Sequence, residues 1–276
     1  MTGMITTNDG SATLFLDEYD QAMHSTSGAY EEALFKHVQP SMILEKKKES
    51  LTVLDVGFGL GYNVLALMDR LNTEENHSLL NIVSLEKDES FYSYMESVRF
   101  GDQRDLIYGK IKTGYLKGSA EFDNIRLKIL FGDARDSIKN ITGIKFDAVF
   151  QDPFSPAKNP ELWTVEYFRL LAGLMYNEAI LTTYSSADHI RMAMIEAGFI
   201  VGKGPSVGQK REGTLAALTD VISTLDNKRI LDIRENPKSE PYRDPGLNLT
   251  REMIIENRLE SIRRKKTTGY HQVHQV

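Results

Sequence analysis

The sequence predicts an α/β fold: a doubly wound, mostly parallel sheet of seven strands, with an N-terminal hairpin extension and a C-terminal arm. Three observations carry that reading. Short apolar and β-branched runs alternate with segments of helical periodicity, which sets parallel strands between crossover helices. The stretch "TVLDVGFGLGYNVLALMDR", residues 52 to 70, passes from a strand through Gly57, Gly59 and Gly61 into a helix. Acidic and polar residues then recur just beyond the strands (Glu86, Asp133, Asp152, Ser185), where sheets of this kind bind ligands.

The elements follow in order. "MITTNDGSATLFLD" places two β-prone runs around Asn8-Asp9-Gly10, a hairpin signal because these residues accept the positive φ of a tight turn. "YEEALFKHVQPSMILEKKK" has helical spacing interrupted by Pro40. Leu51 to Val56 form the first strand of the main sheet, and Asn63 is the expected N-cap of the helix after the glycines. "NIVSL" is the second strand, "ESFYSYMESVRF" a helix, and the polar "GDQRDLIYGKIKTGYLKGSAEFDN" an insertion before the third strand, "RLKILF". Helix "ARDSIKN", strand "FDAVFQ", helix "ELWTVEYFRLLAGLM", strand "EAILTTY" and helix "ADHIRMAMIEAG" come next. "FIVGKG" and "GTLAALT" then pair as an antiparallel edge across a basic loop. Residues 1–222 are expected to form one domain, with 1–50 as its extension. Residues 223–276 are an arm ending in a basic amphipathic helix, not a domain of their own.

Composition narrows the function. A chain of 276 residues supports one domain with a sizeable core. Its formal charge of −6 excludes a protein that grips nucleic acid over its whole surface. Two local basic stretches remain, "VGQKREG" with Lys210 and Arg211, and a tail with Arg258, Arg263, Arg264, Lys265 and Lys266; each is either a phosphate-facing rim or a solvated face. The absence of cysteine removes disulfides, thiolate metal sites and cysteine nucleophiles. His271 and His274 have no accompanying carboxylates, so no metal is expected. There is no run of 18 apolar residues and no basic segment leading into an apolar one, which implies a cytoplasmic protein that does not enter the membrane.

The glycine turn selects a ligand class. The third glycine falls one residue early for the dinucleotide fingerprint, with Tyr62 in the expected place, and no G-K-[ST] follows for a nucleoside triphosphate. Asp55 before the turn and Glu86 after the second strand suit S-adenosyl-L-methionine, whose vicinal ribose hydroxyls donate to the two oxygens of one carboxylate. The candidate cofactor residues are Gly57, Phe58, Gly59, Gly61 and Asn63 at the turn, Glu86 with Lys87, and Asp133 with Ala134. Asp133 either accepts from the adenine amino group or caps "ARDSIKN", and the two roles are compatible.

After the fourth strand comes "QDPFSPAKNPELW", an acid followed by Pro and Phe, which resembles the (D/N)-P-P-(Y/F) loop of methyltransferases acting on exocyclic amines. Together with "MHS", "DVGFGLGYN", "NPELWT", "TYSS" and "KRE" in this order, it makes most of residues 9 to 212 resemble the methyltransferase domain of the MnmC family of tRNA 5-methylaminomethyl-2-thiouridine biosynthesis proteins, including stand-alone relatives with no flavin oxidase domain. The resemblance implies a Rossmann-like class I methyltransferase fold. It also implies methylation of 5-aminomethyl(-2-thio)uridine at the wobble position, with the tRNA anticodon loop as partner and no flavin domain in this chain. Asp152 would meet the amine as the catalytic residue. His24, Ser25, Phe154, Ser155, Tyr184, Lys210 and Arg211 would contact the substrate. Pro153 stands where the family commonly has Ala, which removes a backbone donor. Two other readings stay open at this point: an aminopropyltransferase similar to spermidine synthase, and a non-catalytic S-adenosylmethionine- or RNA-binding module. Trp163 is expected in the core.

Overall fold

The computed structural model describes residues 3–7, 9–23, 28–74, 77–207 and 212–273, with side chains described as far as residue 265. Strands β1 (Gly3–Thr6) and β2 (Ala12–Leu16) form the expected hairpin, and β3 (Gln21–Ala22) extends it to a small three-stranded antiparallel sheet. Asn8 of its turn lies outside the described residues, but Asp9 Oδ1 accepts from Ser11 N and from the Thr7 and Ser11 hydroxyls, which closes the loop. Helix α1 (Ala29–Ala33) then runs into a π-helical turn, Leu34–Val38, and a 3₁₀ turn, Gln39–Ser41, that contains Pro40.

The main sheet follows. Its elements in chain order are β4 (Ser50–Val56), α2 (Tyr62–Thr73), β5 (Leu79–Glu86), α3 (Tyr92–Met95), α4 (Arg104–Lys117), β6 (Ser119–Phe122), β7 (Ile125–Phe131) and α5 (Ala134–Lys139). The second half is β8 (Phe146–Gln151), α6 (Val165–Leu174), β9 (Met175–Thr183), α7 (Asp188–Glu196), β10 (Ile200–Lys203) and β11 (Thr214–Ala217). Helices α8 (Asn227–Glu235) and α9 (Arg251–Val273) belong to the arm. Spatial order is β10-β11-β9-β8-β4-β5-β7-β6, parallel from β9 to β7 and antiparallel at both edges. The chain builds outward from β4 through β5 and β7, then returns to place β8 on the other side of β4. The crevice between β4 and β8 is therefore the switch point where such sheets bind ligands.

The sheet has eight strands among the described residues, one more than the seven expected. The extra strand, β6, and the fourteen-residue helix α4 both fall in the segment read as a polar insertion. Two glycines lie inside α4, and Leu106 and Leu116 are 76% and 60% exposed, so the helical stripe is blurred and propensity is lowered. Gly114 has a packing reason, since a Cβ there would stand 2.9 Å from a Leu127 methyl.

Helices on the two faces bury two apolar clusters, one with α2 and α4 against β4, β5 and β7, the other with α6, α7 and the arm. Trp163 is fully buried, as expected, and its indole N–H donates to Phe154 O at 2.9 Å. Leu225, Ile233, Tyr242 and Ile254 carry the arm into the second cluster. No described helix is long and apolar enough to cross a membrane.

Candidate active site

The turn after β4 is shaped by two contacts that no side chain would permit. Gly57 has φ +88, and a Cβ on it would lie 2.7 Å from the backbone oxygen of Asp152. Gly61 has φ +78, and a Cβ there would strike the Phe58 ring at 2.8 Å. The Gly57 and Phe58 amides both donate to Leu85 O, tying the turn to β5. Gly61, in the left-handed conformation, precedes α2, so the helix starts at Tyr62 and Asn63 is not its cap.

A cavity of about 310 Å³ opens above the turn, between the carboxyl ends of β5, β7 and β8. Gly57, Gly59, Glu86, Lys87, Asp133 and Ala134 of the expected cofactor set line it, as do Asp152, Phe154 and Tyr184 of the expected substrate side. Phe58, Gly61 and Asn63 stand behind the turn, and Ser155 is turned to Gln21, donating to its side-chain oxygen at 2.7 Å. His24, Ser25, Lys210 and Arg211 lie outside the described residues. Glu86 Oε2 accepts from Gly59 N at 2.7 Å, while Oε1 accepts from the Lys87 and Asp88 amides. Burial pushes the Glu86 carboxyl above its ordinary value, against those three amides.

Asp133 caps α5 by accepting from Arg135 N, and the Arg135 guanidinium returns to the same carboxylate at 2.8 Å. Burial alone would raise Asp133, but Arg135 outweighs it and holds the group below the usual carboxylate range. Arg135 also donates to Asp244 Oδ2 at 2.8 Å and Leu249 O at 2.9 Å, which docks the arm beside the cavity.

Behind the cavity lies a buried polar network. Asn63 Nδ2 donates both to Asp55 Oδ1 and to Asp152 Oδ2, each at 3.1 Å, and Ser84 donates to Asp55 Oδ2. One amide thus bridges two carboxylates. Asp55 has an ordinary value of 3.8 and is pushed up to about 7 by complete burial, against the hydrogen bonds from Asn63 and Ser84. Between roughly pH 4 and 7 the folded state keeps a proton on Asp55 that the unfolded chain has released, so this group's contribution to stability is full below pH 4 and is lost as pH rises toward 7. The Asp55→Asn variant, with nothing to ionise, is expected to lose less stability than wild type over that window, by up to about 4 kcal/mol. Urea midpoints near pH 4.5 and pH 7.5 measure the difference, and equal pH dependence in both proteins would refute it.

Several residues of the site carry no sequence signal. Tyr19, from the β2–β3 loop, stacks on Phe154 with ring centroids 4.0 Å apart and planes at 10°. Burial pushes its hydroxyl up to about 12. His37 stands 3.4 Å from Asp152 through Nε2. Both lie more than a hundred residues before their partners, and only the assembled sheet brings them there. Among the described residues no group of three or more His, Asp and Glu is placed to hold a metal ion.

Residues 106–219 match a family described as S-adenosyl-L-methionine-dependent methyltransferase. The chain is 31% identical over 273 residues to the uncharacterized protein MJ0670 of Methanocaldococcus jannaschii, covering 95% of this chain and 72% of that one. The crystal structure of MnmC2 from Aquifex aeolicus is 32% identical and superposes with a TM-score of 0.87, covering 96% of this chain and 86% of that one. The chain belongs to the MnmC2 family. It is an S-adenosylmethionine-dependent methyltransferase with the Rossmann-like fold of that family. The tRNA 5-methylaminomethyl-2-thiouridine biosynthesis bifunctional protein MnmC of Paraburkholderia xenovorans is 30% identical over 215 residues, 73% of this chain and 33% of that protein. The chain therefore spans about a third of the length of that bifunctional relative.

The residues present fit the cofactor. Gly59 and Gly132, with φ of +54 and +119, present backbone without Cβ at the cavity wall, and the buried Glu86 and the Asp133 carboxylate are acceptors for hydroxyl and amino donors. In the MnmC2 family the aminopropyltransferase and the non-catalytic readings lose their footing.

Proposed function

We propose that this protein methylates the aminomethyl nitrogen of 5-aminomethyl(-2-thio)uridine at the wobble position of tRNA, acting on the anticodon loop in the cytoplasm. The observation that carries the reading is Asp152, a carboxylate at the β4–β8 switch point that borders the same cavity as Glu86 and Asp133. The bifunctional MnmC relatives, named for tRNA 5-methylaminomethyl-2-thiouridine biosynthesis, support the choice of substrate.

S-adenosylmethionine supplies an electrophilic methyl group when bound. The acceptor amine must present a neutral lone pair, and once the new bond forms the nitrogen must shed a proton. Asp152 accepts from the amine N–H and aims the lone pair, then takes the proton as the secondary amine forms. Its side chain is 19% exposed, enough to meet a substrate while largely desolvated. The Tyr19–Phe154 pair beside it offers aromatic surface to a base splayed out of a single-stranded loop, which costs little unstacking. Residues 1–222 carry the chemistry in this reading, and the arm, docked through Arg135, belongs to the same unit.

The test is methyl transfer from labelled S-adenosylmethionine to bulk tRNA from cells lacking the protein, followed by nucleoside analysis. Label is expected in 5-methylaminomethyluridine or its 2-thio form; no label in any tRNA nucleoside, with cofactor bound, ends the tRNA reading. Glu86→Gln is expected to weaken cofactor binding by about 10- to 100-fold, because it removes a charged acceptor and turns an amide N–H toward backbone donors. Calorimetry measures this, and unchanged affinity would remove Glu86 from the cofactor site.

A further inference from the structure

His37 takes no part in the chemistry described so far. It sits in the π-helical turn after α1, where Lys36, His37 and Val38 are buried in succession. The wider π-helical turn is a form common at functional sites. The side chain is fully buried and does not line the cavity. Its Nδ1 is 3.0 Å from Thr182 Oγ1 on β9. Its Nε2 is 3.4 Å from Asp152 Oδ1 and makes no hydrogen bond among the described residues.

The Thr182 hydroxyl has two acceptors within reach, Val149 O at 3.5 Å and His37 Nδ1 at 3.0 Å; where it donates to Nδ1, the ring proton sits on Nε2 and faces Asp152. At 3.4 Å the contact is longer than a good hydrogen bond.

We propose that His37 is the positioning residue for Asp152: anchored by Thr182, it directs an Nε2–H at Oδ1 and fixes the carboxylate rotamer that meets the amine. The proposal rests on the reading of Asp152 as the group that meets the substrate. The titratable groups that act on the imidazole are Asp152 after β8 and Asp55 on β4, with Tyr184 and Glu32 acting on Asp152 or on each other and Lys36 buried in the same turn. The Nε2 edge of the imidazole faces Asp152 Oδ1, so its removal leaves that carboxylate easier to protonate.

The test uses the full chain with ¹³C-labelled aspartate, in which Asp152 is assigned through Asp152→Asn. In His37→Leu the Asp152 carboxyl is expected to titrate about one pH unit higher, a tenfold gain in proton affinity. With aminomethyl tRNA, kcat is expected to fall about 10- to 100-fold, and the acid limb of its pH profile to move up by the same unit, while the cofactor Kd stays within about twofold. His37→Gln, which keeps an N–H near the position of Nε2, is expected to recover most of the loss. If His37→Leu does not fold, Thr182→Val reads the same effect by removing the Nδ1 anchor. Unchanged Asp152 titration and pH profile in a folded His37→Leu or Thr182→Val overturns the proposal, as does a loss of cofactor binding that parallels kcat in every variant. Should wild type methylate no tRNA nucleoside, the substrate reading falls, whereas the carboxyl titration still decides the role of His37.

Discussion

Asp152→Asn is expected to lower methyl transfer to aminomethyl tRNA by about 10²- to 10⁴-fold, the range lost when a positioned proton acceptor is removed, with cofactor binding changed only a few-fold. The substitution is nearly isosteric. The Asn oxygen can still accept from Asn63 Nδ2, now 3.1 Å from Asp152 Oδ2, while the new amide N–H₂ faces the His37 Nε2–H, donor against donor, so the site keeps its volume but loses its charge and the His37 contact. What is lost is the ability to take a proton from nitrogen. The backbone of the loop does not depend on the side chain, because Asp152 N donates to Val56 O at 3.0 Å. Single-turnover transfer of a labelled methyl group, alongside calorimetric binding of S-adenosylmethionine, separates chemistry from binding. More than a tenth of wild-type turnover in Asp152→Asn would mean that another group accepts the proton.

Gly57→Ala is expected to damage both stability and catalysis. At φ +88 an L-residue carries backbone strain of about 1–3 kcal/mol. The added methyl meets the Asp152 backbone oxygen at 2.7 Å and its carbonyl carbon at 3.0 Å, so β4 and the loop after β8 must separate. Together these effects are expected to cost about 2–4 kcal/mol and to lower the Tm by roughly 5–10 °C. The displacement moves the proposed catalytic carboxylate itself, and a shift near 1 Å at such a group is worth about 10² in rate. Gly143→Ala is the control: Gly143 has φ +71 but nothing within 4 Å of its added Cβ, and it precedes β8 at the end away from the cavity. It should show the strain without the loss of rate. If both variants behave alike, the close approach of Gly57 to Asp152 has no catalytic consequence.

The limits of the sequence reading show in particular residues. Asn63 has the residue type of an N-cap and stands one position into the helix after a glycine turn, yet its amide serves two carboxylates, one of them 89 residues away. Segment 101–124 looked like an insertion because its glycines and solvent-facing leucines hide a helix that packing against α2, β6 and β7 stabilises. His37 and Tyr19 sit in segments whose local pattern speaks of a helix and a hairpin, and His37 meets Thr182 across 145 residues of chain.

The sequence by itself determined the alternation of strands and helices, the glycine turn after β4, and the acids at the strand ends. Those features are local: a period of two or of 3.6 and the φ freedom of glycine are properties of neighbouring residues. Only the tertiary structure decided the strand order that sets Gly57 against Asp152, and the packing that brings His37 beside the same carboxylate. Those contacts depend on how a parallel sheet closes upon its switch point, and sheet pairing joins residues that no short window of sequence contains.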